Sequence, residues 1–421
     1  MSRTLWLSVV GTLALFTLML PGDATACPYC TAGQATFSEE LAGADAAVIA
    51  VEVRRAEPPA GKSKSDPFAP EPKTKFKVIE VVKGDKLVKI GAEIEVLYFG
   101  RQPVGTQFYM TAVDPKMLAW NTPIALNETS LAYLRKLPTL PKEGADRLFF
   151  FQDFLESPEE IITRDSYDEF AKAPYEAVKD LKPRMKHGQI VAWVKDNKIP
   201  ASRRRLYLTM LGVCGGPEDL PMLEKMITSG DQDSKLVLDA LLGAYLILRG
   251  PDGMDLVDKE YLANPDAKYT DIWSTIQSLR VLGQISQAIP KARLVKSFRL
   301  MLERPNLADL VIPDLARWED WDSTDRLVKL FKDSEDAGSF IRVPVMRFLM
   351  ANPKPEAKAQ LEELKKLDPE AFKRANLFFP GVPSKDTAPA TSEADTKLPK
   401  APGEQPDGPK SKVAPPKLDK T

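Results

Sequence analysis

The sequence predicts a chain of more than one domain, a small antiparallel β-barrel followed by an α-helical solenoid. Its 421 residues exceed one ordinary hydrophobic core, at roughly 150 residues per domain. The apolar period changes along the chain, from alternation in the first third to about 3.6 residues beyond residue 157. The 36 prolines fall between these periodic runs and in a terminal tail.

The first 26 residues have the layout of an export signal. Arg3 supplies the positive start, Leu5 to Leu20 the apolar run, and Pro21-Gly22 the break. Small residues at Ala24 and Ala26 then mark cleavage before Cys27. The reading is therefore a secreted or periplasmic protein with no transmembrane segment after cleavage. A lipobox is the minority alternative, with Ala24 standing where that motif prefers Leu.

From Cys27 to Leu137 the chain reads as a β-rich module. "DAAVIAVEVRRAE" (45–57) is a β-branched run, "TKFKVIEVVKG" (74–84) and "AEIEVLYFG" (92–100) alternate charged with apolar residues, and "TQFYMTAV" (106–113) adds a further strand. Turns are expected at Lys83-Gly84-Asp85 and Phe99-Gly100-Arg101, and an unpacked loop over the Pro-, Lys- and Ser-rich 58–72. A short helix is expected over 129–137, and 138–156 reads as a linker.

Residues 157–379 read as helices joined by short Gly- and Pro-containing turns. The first opens on Ser157 as N-cap, Pro158 at the first helical position and Glu159-Glu160 in the first turn. Apolar positions such as Leu238, Leu241, Leu242 and Tyr245 are too many for one stripe, so these helices bury two faces. A dozen of them, at about 35 to 45 residues per pair, resemble HEAT-like repeats, although no register is fixed. Residues 380–421 lack core-forming side chains and read as a disordered tail.

A net charge of -1 gives no global field for nucleic acid. No cofactor or metal site is expected: the single histidine, His187, has no ligand cluster near it in sequence, and Cys214 reads as a buried thiol. "CPYC" (27–30) has the spacing of a thiol-disulfide active site, which depends on a preceding strand and a helix N-terminus. Cleavage before Cys27 leaves no strand there, so Cys27 and Cys30 read as a structural disulfide opening the β module. Arg203, Arg204 and Arg205 form a basic cluster that is an anion-binding candidate or a solvated helix face. Trp318 and Trp321 are a candidate stacking pair or core closures.

Taken with "FSEELAGADAAVIAVEVRRAE" and the strands after it, an N-terminal cysteine resembles the netrin-type OB barrel of tissue inhibitors of metalloproteinases. There a buried strand follows an Asp and a later strand ends in Lys-Gly, as here at Asp45 and Lys83-Gly84. The resemblance implies an OB-like barrel over about Cys27 to Leu137, with zinc chelation by the Cys27 amine and carbonyl. The chain departs from that family in having Cys-x-x-Cys and no further disulfides in the module. The functional expectation is an exported, non-enzymatic scaffold whose helical surface binds a protein or envelope partner. The alternatives are a thiol-disulfide redox protein and an inhibitor acting through Cys27.

Overall fold

The computed structural model describes residues 27–56, 71–334 and 340–377. The export signal, most of the 58–72 loop and the 380–421 tail lie outside the described residues.

After a short helix α1 (Phe37–Gly43) come strands β1 (Ala46–Arg54), β2 (Thr74–Lys83), β3 (Glu93–Val96), β4 (Gln107–Val113), β5 (Ala119–Trp120) and β6 (Ile124–Leu126). They form one antiparallel, nearly closed barrel-like sheet in the order β3-β2-β1-β4-β5, with β6 also on β4. Gly84 adopts φ +82°, and a Cβ there would lie 2.5 Å from the Asp45 carbonyl oxygen, so the turn after β2 packs on the start of β1 only as glycine.

Period-two alternation explains why β1 is central. Ala46, Val48 and Ala50 point into the barrel with Phe76, Phe108 and Ile94. Ala47 and Ile49 point the other way, into a core shared with the helices. A strand buried on both faces reads as the continuous apolar run seen at 46–51. Edge-to-face contacts among Phe76, Tyr98 and Phe108 fill the barrel interior.

The helical region begins earlier than the periodicity indicates. Helices α2 (Glu128–Lys136), α3 (Ala145–Gln152), α4 (Glu160–Lys172) and α5 (Tyr175–Asp180) pack beside the sheet. The expected linker 138–156 thus contains α3, because "RLFFF" supplies Leu148 and Phe151 to the shared core. Conversely, α4 starts at Glu160 and not at Ser157. The Ser157 carbonyl is taken by the Thr163 hydroxyl at 2.9 Å, which holds 157–159 outside the helix.

Then follow α6 (His187–Lys195), α7 (Ala201–Cys214), α8 (Leu220–Thr228), α9 (Gln232–Lys235), α10 (Leu238–Arg249), α11 (Met254–Val257) and α12 (Tyr269–Ile285). Last come α13 (Lys291–Leu300), α14 (Ile312–Arg317), α15 (Thr324–Asp333), α16 (Arg342–Ala351), α17 (Pro355–Leu367) and α18 (Pro369–Leu377). The two-faced burial expected from the sequence is clearest in α10, where Leu238 and every residue from Ala240 to Leu246 are buried. Helix α10 packs on both α7 and α12. Among the described residues no helix is long and apolar enough to cross a membrane.

One cross-helix staple occurs twice. Arg205 on α7 donates from Nε to Asp239 at 2.9 Å and from Nη2 to the Leu236 carbonyl at 2.6 Å. Arg280 on α12 does the same to Asp314, at 2.9 Å, and to the Leu310 carbonyl, at 2.7 Å. Both pairs span 34 residues, and the second is the first moved by 75 positions (280 − 205 and 314 − 239).

Candidate functional site

The segment 27–36 crosses from the helices to the sheet, and the site is built around it. Cys27 and Cys30 form the expected disulfide, with Cα atoms 5.3 Å apart. Its place differs from the expectation. It sits on the helices, not at the barrel: Cys27 is 2% exposed and its Sγ lies 3.8 Å from Thr209 Oγ1 on α7. The physical reason is Tyr29, whose ring enters a slot over α10 and whose hydroxyl reaches the Ser278 carbonyl and hydroxyl on α12 at 3.5 and 3.4 Å. A Cβ at Gly243 would lie 2.3 Å from that hydroxyl, so the slot exists because α10 has glycine there. Burial raises the Tyr29 phenol above its ordinary range.

Thr209, Gly243 and Ser278, the small residues under this loop, are 34 and 35 positions apart (243 − 209 and 278 − 243) on three successively packed helices. That spacing is the sequence signal that places the tetrapeptide. It was invisible without knowing which helices stack.

Downstream of Tyr29 the segment is held by carboxylates of α4. Asp168 Oδ1 accepts the Gly33 amide at 3.0 Å, and Asp165 Oδ1 accepts the Phe37 amide at 2.6 Å. Asp165 Oδ2 also accepts the Tyr133 hydroxyl of α2 at 2.5 Å. Burial is the largest influence on Asp165 and pushes its carboxyl up to about 7, against the lowering effect of the two donors; Glu169 and Asp168 push the same way. Arg147 of α3 balances this acidic face with a two-pronged bond to Glu169 at 2.7 Å and a bond to Ser38 of α1 at 2.7 Å. Sequence reading missed these residues because three acids within five positions of a helix ordinarily mark a solvated face.

Beside this face opens a cleft of about 940 Å³. Leu41, Val82, Leu137, Leu140 and Leu148 give it apolar walls, drawn from α1, β2, the turn after α2, and α3. Lys83, Lys142, Arg147 and Lys172 alternate with Glu39, Glu143 and Glu169 around them. Lys83 is tied to the Leu41 and Ala42 carbonyls, each at 2.9 Å, and Lys172 to Glu39. The arrangement suits a guest with both apolar and polar groups.

The other sequence candidates lie elsewhere. Arg203 pairs with Glu156, Arg204 is buried on the Val194 and Asp233 carbonyls, and Arg205 forms the staple to Asp239. The cluster therefore ties α7 to its neighbours, and is not a solvated face. Trp318 stacks on Phe298 at 5.0 Å and Trp321 meets Phe348 edge-on, both against the helical core. Cys214 is a free, half-buried thiol that burial pushes up to about 11. His187 corrects the sequence reading: Asp219 and Glu218, 32 and 31 residues away, converge on it. No local spacing could show that, since the contact joins the start of α6 to the loop between α7 and α8. A scan against protein-family models finds no matching family, and searches of curated proteins and of solved structures return no match.

Proposed function

We propose that the chain is an exported, non-enzymatic interaction protein that holds an extended segment of a protein or envelope partner. Its cleft between barrel and helices is the primary contact, and the stacked helices, read as HEAT-like repeats, extend the surface. The observation carrying this reading is the cleft itself: walls from four separate elements converge on one apolar-lined space, with fixed charges at its sides. The repeat character is supported by the Arg205 and Arg280 staples, which recur at the same 34-residue span.

Two observations weigh against the alternatives. A catalytic disulfide needs its first sulfur open to a partner thiolate, whereas Cys27 is packed against α7. Zinc chelation by an N-terminal cysteine needs that residue open to a protease, whereas Cys27 is packed on α7 and 2% exposed.

The experiment is selection of displayed peptides on the purified full chain, followed by affinity measurement against wild type and Ala42→Trp, which fills the cleft. Binding at least about tenfold weaker in the variant, with an unchanged melting temperature, is expected, equal to about 1.4 kcal/mol. Equal affinity for both proteins overturns the cleft reading. N-terminal sequencing of protein exported by a bacterial host tests the compartment, and should begin at Cys27 without acyl chains.

A further inference from the structure

We propose that His187, Glu218 and Asp219 form a divalent transition-metal site, with zinc as the ion it fits best. One ligand atom from each lies within 4.8 Å of the others. His187 Nε2 is 2.9 Å from Asp219 Oδ2 and 3.2 Å from Oδ1. Ligands about 2.0 Å from a tetrahedral zinc are separated by about 3.3 Å, so the His187 and Asp219 atoms stand near the edge length of such a site, with a Glu218 oxygen within 4.8 Å of both.

The local chain is shaped to bring the carboxylates there. In Gly215-Gly216-Pro217-Glu218-Asp219 the backbone folds back on itself, and the Gly216 amide fixes Asp219 Oδ2 at 3.0 Å. A Cβ at Gly215 would sit 2.7 Å from Asp219 Oδ2, and one at Gly216 would sit 2.4 Å from Glu218 Oε2. Both glycines therefore vacate space that the two carboxylates occupy.

A hydrogen bond between His187 and Asp219 accounts for only part of this. The bond between His187 Nε2 and Asp219 satisfies Asp219, itself 5% exposed. It leaves Glu218, an exposed side chain free to turn into water, converging instead on a second carboxylate. Two carboxyl groups gathered beside an imidazole nitrogen are the donor set that a divalent cation between them would take. The donor set is one nitrogen and two carboxylate oxygens, with solvent on the Glu218 side, so water completes the shell. Imidazole selects transition ions over magnesium or calcium, and one histidine with two carboxylates and water is a donor set that zinc takes. The ion would join the N-terminus of α6 to the loop leading into α8, where His187 already meets Asp219.

The test uses the full chain at neutral pH with any affinity tag removed. Zinc is titrated calorimetrically, and cobalt is added as a spectroscopic reporter of tetrahedral geometry. One equivalent of zinc, an intense cobalt visible band, and no response to magnesium are expected. His187→Ala should weaken zinc binding by more than about a hundredfold, beyond the 10- to 100-fold that outer partners of a metal cost. Glu218→Gln, on an exposed side chain, should weaken it by at least about tenfold and leave the metal-free melting temperature unchanged. Asp219→Asn is avoided as the deciding variant because Asp219 also holds the loop backbone. Absence of saturable zinc binding, or affinity unchanged in both His187→Ala and Glu218→Gln, overturns the assignment.

Discussion

Replacing Gly243 by alanine should destabilise the protein when Tyr29 is present and stabilise it when Tyr29 is absent. A Cβ at position 243 would stand 2.3 Å from the Tyr29 hydroxyl oxygen and 2.6 Å from the ring carbon bearing it, so the ring must leave its slot. Unseating it forfeits burial of a large aromatic side chain, about 2 kcal/mol for a ring whose rim is partly exposed. The bonds to Ser278, at 3.4 and 3.5 Å, are long and add no more than about 0.5 kcal/mol. Against this, glycine inside a helix costs about 1 kcal/mol relative to alanine, which the substitution recovers in α10. The net effect is a loss of about 1 to 2 kcal/mol. In a Tyr29→Ala background the clash is gone and only the propensity gain remains, so Gly243→Ala should then stabilise by up to about 1 kcal/mol. The double-mutant cycle therefore predicts a coupling of about 2 to 3 kcal/mol between residues 214 positions apart (243 − 29). Chemical denaturation of the four proteins measures it, and hydrogen exchange at residues 31–36 reports whether the segment has come loose. Equal stabilisation by Gly243→Ala in both backgrounds would refute the reasoning, because it would show that the ring does not occupy the slot.

Further outcomes follow from the acidic face and the disulfide. Asp165 titrates at about 7 in the folded chain against an ordinary 3.8, so the folded state holds an extra proton between these values. Its contribution to stability is complete below about pH 4 and is lost as pH rises through about 7, and thermal melts from pH 5 to 8 should show the fall. Asp165→Asn, with Tyr133, Asp168, Glu169 and Arg147 unchanged around it, should flatten that slope; an unchanged slope would assign it to another group. Arg147→Ala should cost about 3 to 5 kcal/mol, because it leaves the buried Glu169 carboxylate unpaired, and adding Glu169→Gln should restore a substantial part in denaturation curves. Cys27→Ser with Cys30→Ser should cost about 2 kcal/mol, the loop-entropy value for so short a ring, and should not abolish folding; complete unfolding in melts would contradict it.

The elements legible in the sequence were those whose determinants are local. Alternation at 74–83 and 93–96 marks β2 and β3 because each strand meets solvent on one side, and Asn127 with Ser130 forms a capping box for α2 within a residue of the expected start. The linker failed for the opposite reason. Pro138, Pro141 and Gly144 are turn signals, but "RLFFF" immediately after them is decided by the core it joins. At the site, Cys27–Cys30 was readable from its spacing, whereas its seat was not. Its contacts reach 182 and 249 positions along the chain, to Thr209 and Ser278. Asp165 and Asp168 are likewise intelligible only once the amides of Phe37 and Gly33 are brought to them.

Those two amides explain why the N-terminal segment governs the cleft. Residues 31–36 have no strand beside them. Carboxylates from α4 instead accept the amides of Gly33 and Phe37 and pin the stretch at these two points. Its upstream end is held by Tyr29 over α10 and α12, and its downstream end runs into α1 through the Thr36 capping box. Thr36, Ser38, Glu39, Leu41 and Ala42, which follow directly, form one wall of the cleft. The opposite wall belongs to α3 and α4, whose Arg147 and Lys172 reach across to Ser38 and Glu39. Loosening the segment at Gly243 therefore acts on that wall from its upstream end. A guest that requires the cleft closed should bind more weakly after Gly243→Ala, although Gly243 does not line the cleft.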